Sequence, residues 1–273
     1  AAGLAVVVTL AYAMSQLLLL GSTRDRVSHV WTEGGYAVPY RFLNAPFVAL
    51  HRKNRPYVIL KWAQSIDGCI ATKTGDSRWI SSPASRRVVH LLRARVDGVM
   101  IGIGTALRDD PELTARGVRI ARRTARIVLD TQLRLSLRSK LARTAKRAAT
   151  ILFCSRSAIK SRRAGQLRRL GCEVVGVPQG RGGLNLDSVM RNLAARQMSN
   201  VLVEGGGRLL GSLVDGGIFD EARVFVAPIL IGGRGAPGPL RGVGPGRIDS
   251  RTRICVEQVA AIGPDLCYTI RLD

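Results

Sequence analysis

Acidic side chains are scarce in this chain: 19 Asp and Glu stand against 42 Lys and Arg, leaving a net charge of +23 over 273 residues. An excess of that size draws polyanions. Aromatic residues are scarce as well, at 5%, and the arginines run from Arg24 to Arg271, densest over residues 116–169, with no interleaved rings. Unpaired bases stack on such rings. Nucleic acid is therefore not expected as the main ligand, and phosphorylated small molecules account for the charge as well. Histidine occurs only at His29, His51 and His90, neither H-x-E nor C-x-x-C is present, and the cysteines, Cys69, Cys154, Cys172, Cys255 and Cys267, are far apart and odd in number. These absences exclude a zinc constellation and argue for reduced cysteines in a cytoplasmic protein without a metal. Only residues 1–21 form a long apolar run, broken by Thr9, Ser15 and Gln16. It is long enough to span a bilayer as a helix, but no basic region precedes it as a signal peptide would require. We expect the remnant of an upstream domain's core, with a membrane anchor as the alternative. The chain opens on Ala1, which reads as a processed or truncated start.

The clearest positive signal is at residues 200–217, NVLVEGGGRLLGSLVDGG. Val201, Leu202 and Val203 are the apolar run of a strand covered on both faces. Gly205, Gly206 and Gly207 follow, free to take positive φ and to bring the backbone close to a ligand, and residues 208–214 read as a helix. Amides at such a helix start lack partners and carry the positive end of the dipole, so phosphate is the expected occupant. Glu204, ending the strand, would then face a second ligand. On this stretch alone a plain tight turn reads equally well. It is not the dinucleotide fingerprint, because Leu210 stands where the third glycine belongs.

Residues 22–55, with GSTRDR, TEGG and HRKNRP, read as a linker, and the body begins at Pro56. Strands are expected at 57–62, 99–103, 125–129, 150–154, 172–177, 222–227 and 267–272, with 66–68 turning the first toward 69–72. Ser82 as N-cap with Pro83 at the first helical position opens a helix. Its apolar stripe is expected at Val88, Leu91, Leu92 and Val96, with Arg93 off it. Asp110-Pro111 fixes a turn, and 161–170 reads as a basic helix. Strands alternating with helices argue for an α/β domain with a mainly parallel sheet.

The blocks LKWAQSIDG, TGDSRWISSPASRR, LLRAR, GIGTALRDDPELTAR, RIVLDT, VLVEGGGRLLGSLV, APILIGG and GPDLC follow one another over residues 56–273. Their order and spacing resemble the reductase half of the RibD family of bacterial riboflavin-biosynthesis deaminase-reductases. The resemblance implies a dihydrofolate-reductase-like α/β fold, with helices flanking a mainly parallel central sheet, in a homodimer. It implies NADPH-dependent reduction of the ribose of 5-amino-6-(5-phosphoribosylamino)uracil to the ribityl chain. The alternatives are a related reductase acting on the 2,5-diamino pyrimidinone or another pterin-like substrate, and a non-catalytic basic nucleic-acid-binding protein on the same scaffold.

Carried over position by position, the family's cofactor contacts fall on Ala63, Trp79, Thr105, Asp109, Thr131 and the run Gly206, Gly207, Arg208, Leu209, Leu210, Gly211 and Ser212. Its substrate contacts fall on Ser77, Arg93, Leu113, Arg116 and Glu204. Lys61 and Glu204 are the candidates for a catalytic role, since the hydride comes from the cofactor. Arg93 and Arg116 are forks suited to phosphate, Glu204 and Ser77 suit hydroxyls or the pyrimidine, and Ser155-Arg156 is placed to meet a 2′-phosphate. The family's deaminase half needs a zinc-binding H-x-E and P-C-x-x-C, which this sequence does not contain. Only LNAPF at 43–47 looks like its tail. Deaminase activity is accordingly not expected, a separate or upstream deaminase is, and the chain divides into residues 1–55 and a reductase domain at 56–273.

Overall fold

The computed structural model describes residues 29–31, 37–39, 44–120, 122–180 and 182–272. The expectations placed on residues 1–21 and on the patches GSTRDR and TEGG fall outside them. Contacts divide the chain into two units, Ala1–Ala45 and Pro46–Asp273. In the first, β1 (His29–Trp31) pairs antiparallel with β2 (Ala37–Pro39), Val30 opposite Val38. Among the described residues no helix is long and apolar enough to cross a membrane, and no cluster of His, Cys, Asp or Glu is placed to hold a metal. All five cysteines are free.

Helix α1 (Ala45–Arg52) leads into β3 (Tyr57–Ser65), α2 (Pro83–Arg93), β4 (Gly98–Gly102), α3 (Ile103–Asp109), β5 (Ala125–Leu129), α4 (Lys140–Arg143) and β6 (Thr150–Ser155). There follow α5 (Arg162–Arg169), β7 (Glu173–Val177), the short pair β8 (Gln179–Gly180) and β9 (Gly183–Leu184), α6 (Leu186–Ala195), β10 (Asn200–Val203), α7 (Gly207–Asp215), β11 (Glu221–Ala227), β12 (Ile254–Ile262) and β13 (Asp265–Leu272). Nine strands form one sheet in the order β12-β13-β11-β3-β10-β4-β5-β6-β7. Neighbours from β11 to β7 run parallel, and β13 and β12 close the edge antiparallel. This is the mainly parallel, helix-flanked sheet that the alternation of elements implies.

Strand β3 shows how the sequence sets up the site. Its first four residues are buried and the next four half-buried, as in a parallel strand whose start is covered by helices and whose end opens on a cleft. Side chains alternate along it. Val58 and Leu60 join a core that includes Val189, Met190 and Leu193 of α6 and Leu209, Leu210 and Leu213 of α7, whereas Ala63 packs with Phe225, Cys267 and Val89 of α2. Burying each of the α7 leucines contributes about 1.5–3 kcal/mol.

Ser82 caps α2 as expected: its hydroxyl oxygen accepts from the Ser85 amide at 3.2 Å, and Pro83 opens the helix. Buried Asp265, at the start of β13, accepts from the Ser82 amide and the Ser85 hydroxyl at 2.8 and 2.5 Å. A carboxylate at a helix start is favoured by the dipole, and here it ties the closing hairpin to α2. The inner stripe of α2 is only partly the expected one, with Val88 packed against the Phe225 cluster. Ser85 and Val89 are buried, Leu91 is 37% exposed, and the helix ends at Arg93, before Val96. Arg93 lies on the inner stripe, four residues after Val89, because a buried carboxylate receives it.

The turn expected at 66–68 forms, the Ser65 amide donating to the Cys69 carbonyl. One boundary differs. Gly102, in extended conformation, ends β4 and caps α3, so Ile103 is helical.

Candidate active site

A cleft of about 1830 Å³ lies outside the C-terminal ends of β3, β4, β5 and β10, the place where open parallel sheets hold ligands. Sites for one small ligand run to roughly 300–1,000 Å³, so this cleft has room for a dinucleotide and a second molecule. Alternation divides it. In β10, Val201 and Val203 point into the α6–α7 core, so Glu204 follows on the α2 face, and in β3 Lys61 lies on that face with Ala63.

The α7 half is built from the glycine run. Only Gly205 takes a left-handed φ, +129°, and the Gly205–Gly206 peptide is cis. Gly206 is extended and caps α7 without a side-chain bond; a Cβ there would sit 3.0 Å from the Thr105 hydroxyl. A Cβ on Gly207 would sit 3.0 Å from the Arg241 side chain. Among the described residues no protein acceptor takes the amides of Gly207, Arg208 and Leu209, and the first helical bond at this end runs from the Leu210 amide to the Gly206 carbonyl. Such unpaired amides make an anion site.

Gly206, Gly207, Arg208, Leu209, Leu210 and Ser212 line the cleft, and Gly211 does not. Leu209 and Leu210 bury their side chains in the core, which leaves backbone for a ligand. Gly211 serves another purpose: a Cβ there would lie 2.0 Å from the Gly242 nitrogen. Residues 239–244 run across α7 as a strap. The Arg241 amide donates to the Gly207 carbonyl at 2.9 Å, and the Asp215 carboxylate accepts from the Val243 and Gly244 amides at 2.6 and 3.2 Å. The strap puts Arg241 on the cleft wall. Sequence reasoning missed this residue, whose glycine- and proline-rich surroundings carry no periodic signal.

Ala63, Trp79, Thr105, Asp109 and Thr131 also line the cleft. Trp79 is 72% exposed, with the Arg86 guanidinium 4.5 Å from its ring centroid. Ser155 and Arg156 are not on the wall, whereas Arg134 is. The Ser155 hydroxyl is used locally, within 2.9 Å of that of Ser157 and accepting from the Ala158 amide.

In the α2 half, Ser77, Arg93, Leu113, Arg116, Glu204 and Lys61 share the wall. Glu204 binds Arg93 through two bonds, Nε to Oε1 at 2.6 Å and Nη2 to Oε2 at 2.5 Å, and Arg93 Nη1 donates to the Thr114 carbonyl at 3.2 Å. The fork expected to hold phosphate is thus turned onto a carboxylate. Burial alone would raise the Glu204 pKa, but Arg93 and then Lys61 hold it below the usual carboxylate range. Burial pushes the Lys61 ammonium below its ordinary pKa, with Glu204 pulling the other way. Its Nζ lies 5.5 Å from the Phe225 ring centroid.

The loop at residues 110–117 completes this wall. Leu113 is buried with a left-handed φ of +55°. Arg116 meets Glu112 at 2.6 Å in a pair half exposed to solvent, and its amide donates to His90 Nδ1 at 3.2 Å. His90 also lines the cleft and was not singled out by sequence. Its place on α2, one turn before Arg93, was the available signal.

Residues 56–268 match the model of the RibD C-terminal domain. The chain is 35% identical to the riboflavin biosynthesis protein RibD of Aquifex aeolicus over 83% of its own length and 60% of that protein's. It is 34% identical to the 2,5-diamino-6-ribosylamino-4(3H)-pyrimidinone 5′-phosphate reductase of Methanothermobacter thermautotrophicus, over 80% of this chain and 99% of that one. The chain thus spans about 60% of the length of the RibD proteins it matches. Among solved structures it superposes on a Thermotoga maritima deaminase/5-amino-6-(5-phosphoribosylamino)uracil reductase with a TM-score of 0.68 and 27% identity, over 84% of this chain and 60% of that one. The Acinetobacter baumannii RibD, at 24% identity and a TM-score of 0.70 over 85% and 62%, shares the fold. With its mainly parallel sheet, its bare helix start and its matched sequence, this chain belongs to the RibD C-terminal domain family.

Proposed function

We propose that the cleft reduces the ribose of 5-amino-6-(5-phosphoribosylamino)uracil with NADPH, in the cytoplasm. The observation that carries this reading is the division of one cleft into an unpaired helix start and a wall bearing Arg93, Glu204, Lys61 and Arg116. The residues present fit a dinucleotide. The α7 amides, with Arg208 and Arg241 beside them, suit its pyrophosphate, and Gly206 and Gly207 leave room where a Cβ would meet Thr105 or Arg241. Arg134, on the wall with Thr131, takes the place expected for Ser155-Arg156 at the 2′-phosphate. When bound, the cofactor supplies the hydride.

The protein's own part is to hold the opened sugar and move a proton. Arg116 takes the phosphate: its exposed pair with Glu112 is worth at most about 1 kcal/mol and yields readily. Glu204, oriented by Arg93, and Ser77 hold hydroxyls or the pyrimidine. Lys61 Nζ, its pKa lowered by burial, is the group to hold the proton that the ribose ring oxygen needs as the ring opens.

The reductase of Methanothermobacter thermautotrophicus, matched along 99% of its length, supports a second reading in which the 2,5-diamino pyrimidinone phosphate is the substrate. In either case the deaminase step lies elsewhere, in a separate protein or an upstream segment. A homodimer completes the reading. Ile254, Val256 and Val259 of β12 and Leu266 of β13 are 42–53% exposed at the sheet edge, and apolar side chains grouped in that way suit a subunit contact. Loss of NADPH absorbance with each pyrimidine in turn tests the activity, and NADH run in parallel tests the cofactor. Turnover of neither pyrimidine overturns the reading.

A further inference from the structure

Helix α2 holds the loop at residues 110–117 at three points. Arg93 Nη1 donates to the Thr114 carbonyl at 3.2 Å, Arg87 Nη1 to the Gly117 carbonyl at 3.4 Å, and His90 Nδ1 accepts from the Arg116 amide at 3.2 Å. The two arginines remain donors at any pH. The histidine differs, because a ring nitrogen accepts only when it carries no proton. The contact therefore requires neutral imidazole with its proton on Nε2.

We propose that His90 is a positioning residue for the substrate's phosphate: by accepting the Arg116 amide it sets where the Arg116 guanidinium stands, and protonation of the ring releases that end of the loop. The inference rests on the reading that Arg116 takes the phosphate. Its environment favours the neutral ring. Burial, then the cations of Arg93 on α2 and Arg116 on the loop, hold the His90 pKa below its ordinary value, against the pull of the Glu204 carboxylate on β10 and the Thr114 carbonyl. In the folded protein the ring thus stays neutral to a lower pH than it does in the unfolded chain. Grip on the phosphate is complete above that pH and weakens as the pH falls through it.

Two variants separate positioning from packing and from proton transfer. His90→Leu keeps bulk and loses the acceptor, whereas His90→Asn restores an oxygen that accepts and does not titrate. His90→Leu is expected to raise the substrate KM about tenfold, the loss of one hydrogen bond to the loop, with kcat within about twofold and the NADPH KM unmoved. His90→Asn is expected to recover most of the substrate KM. The ratio of wild-type to His90→Asn KM should rise as the pH falls below neutrality, since titration of the substrate's own phosphate cancels in that ratio. An unchanged KM in His90→Leu, a His90→Asn no better than His90→Leu, or a ratio flat with pH overturns the proposal.

A wild-type protein that turns over neither pyrimidine would overturn the functional reading instead, and His90 can be judged without activity. Nitrogen NMR of the imidazole should show Nδ1 unprotonated, and exchange of the Arg116 amide should be slow in wild type and His90→Asn and fast in His90→Leu. A protonated Nδ1 near neutral pH, or the same exchange in all three, ends the inference on its own terms.

Discussion

Arg93 and Glu204 are separated by 111 positions in the chain and meet with side chains 14% and 9% exposed. Neither stretch of sequence announces the other, which is why each reads singly as a ligand contact. Breaking a buried pair by removing one partner leaves a charge that burial penalises by about 3–5 kcal/mol. Arg93→Ala should lower stability by that order, read from the urea midpoint, whereas the double change Arg93→Leu with Glu204→Leu should lower it less. Additive losses would show that the two side chains do not depend on each other. Because the Glu204 pKa lies below that of a free carboxyl, the unfolded chain binds more protons in acid. The stability from this group is present above the ordinary carboxyl pKa and is lost as the pH falls through the folded value. Glu204→Gln should accordingly flatten the fall in stability below roughly pH 4. Arg116 is the contrasting case. Its pair is exposed, so Arg116→Ala should leave stability nearly unchanged. Loss of a charge-assisted phosphate contact, roughly 1.5–3 kcal/mol, should raise the substrate KM about ten- to a hundredfold with the NADPH KM constant. An unmoved substrate KM would return Arg116 to the solvated surface.

At the scale of elements, the glycine run was legible as a strand, turn and helix start, but not the separate reasons for its glycines. Gly211 shows what was hidden, since the backbone that excludes a Cβ there comes from residue 242. Gly211→Ala should gain about 1 kcal/mol of helix propensity and lose more, since Arg241, Val243 and Gly244 pin the strap and overpacking costs about 1–3 kcal/mol. It should also raise the NADPH KM by moving Arg241. Releasing the strap with Asp215→Ala should shrink the penalty of Gly211→Ala in that background, as coupled neighbours do. Equal penalties in both backgrounds would mean that the strap gives way freely.

The parallel strands were legible because their burial on both faces leaves plain apolar runs. Strand β12 was not, being exposed at most positions with only β13 beside it, so its sequence has no alternation to read. Helix α6 had a usable signal that went unread. Asn185 caps it, accepting from the Ser188 amide at 2.8 Å, ahead of the buried Val189, Met190, Leu193 and Ala194.

For the molecule as a whole the open question is where the reductase unit begins. The family match starts at residue 56 and the compact unit at Pro46, and the stretch HRKNRP between them reads as linker. Two of its cations have structural work. Lys53 Nζ reaches Asp220 Oδ1 at 2.8 Å, and Arg55 holds both carboxylate oxygens at 2.5 and 3.0 Å. The Val58 amide at the start of β3 donates to the same group at 2.9 Å. Burial alone would raise the Asp220 pKa, and the bonds from Arg55 and Lys53 bring it below the usual range. Helix α1, by contrast, buries only Ala49, a methyl worth about 0.8 kcal/mol. We therefore propose the working boundary at Lys53. A chain beginning there should unfold within about 1 kcal/mol of the full chain and oxidise NADPH at the same rate per site. Replacing Lys53 and Arg55 with alanine in the full chain leaves Asp220 buried with one amide donor and should cost about 3–5 kcal/mol at neutral pH. This design avoids placing a new terminal ammonium beside the carboxylate. The sign of the pH dependence should reverse, because a buried carboxyl without cations titrates above its unfolded value, so the double variant should recover stability as the pH falls. Asp220→Asn in the same background should restore it at neutral pH. If the chain from Lys53 fails to fold, α1 belongs to the core and the boundary lies at Pro46; if the double alanine variant matches its parent, the two cations are linker after all.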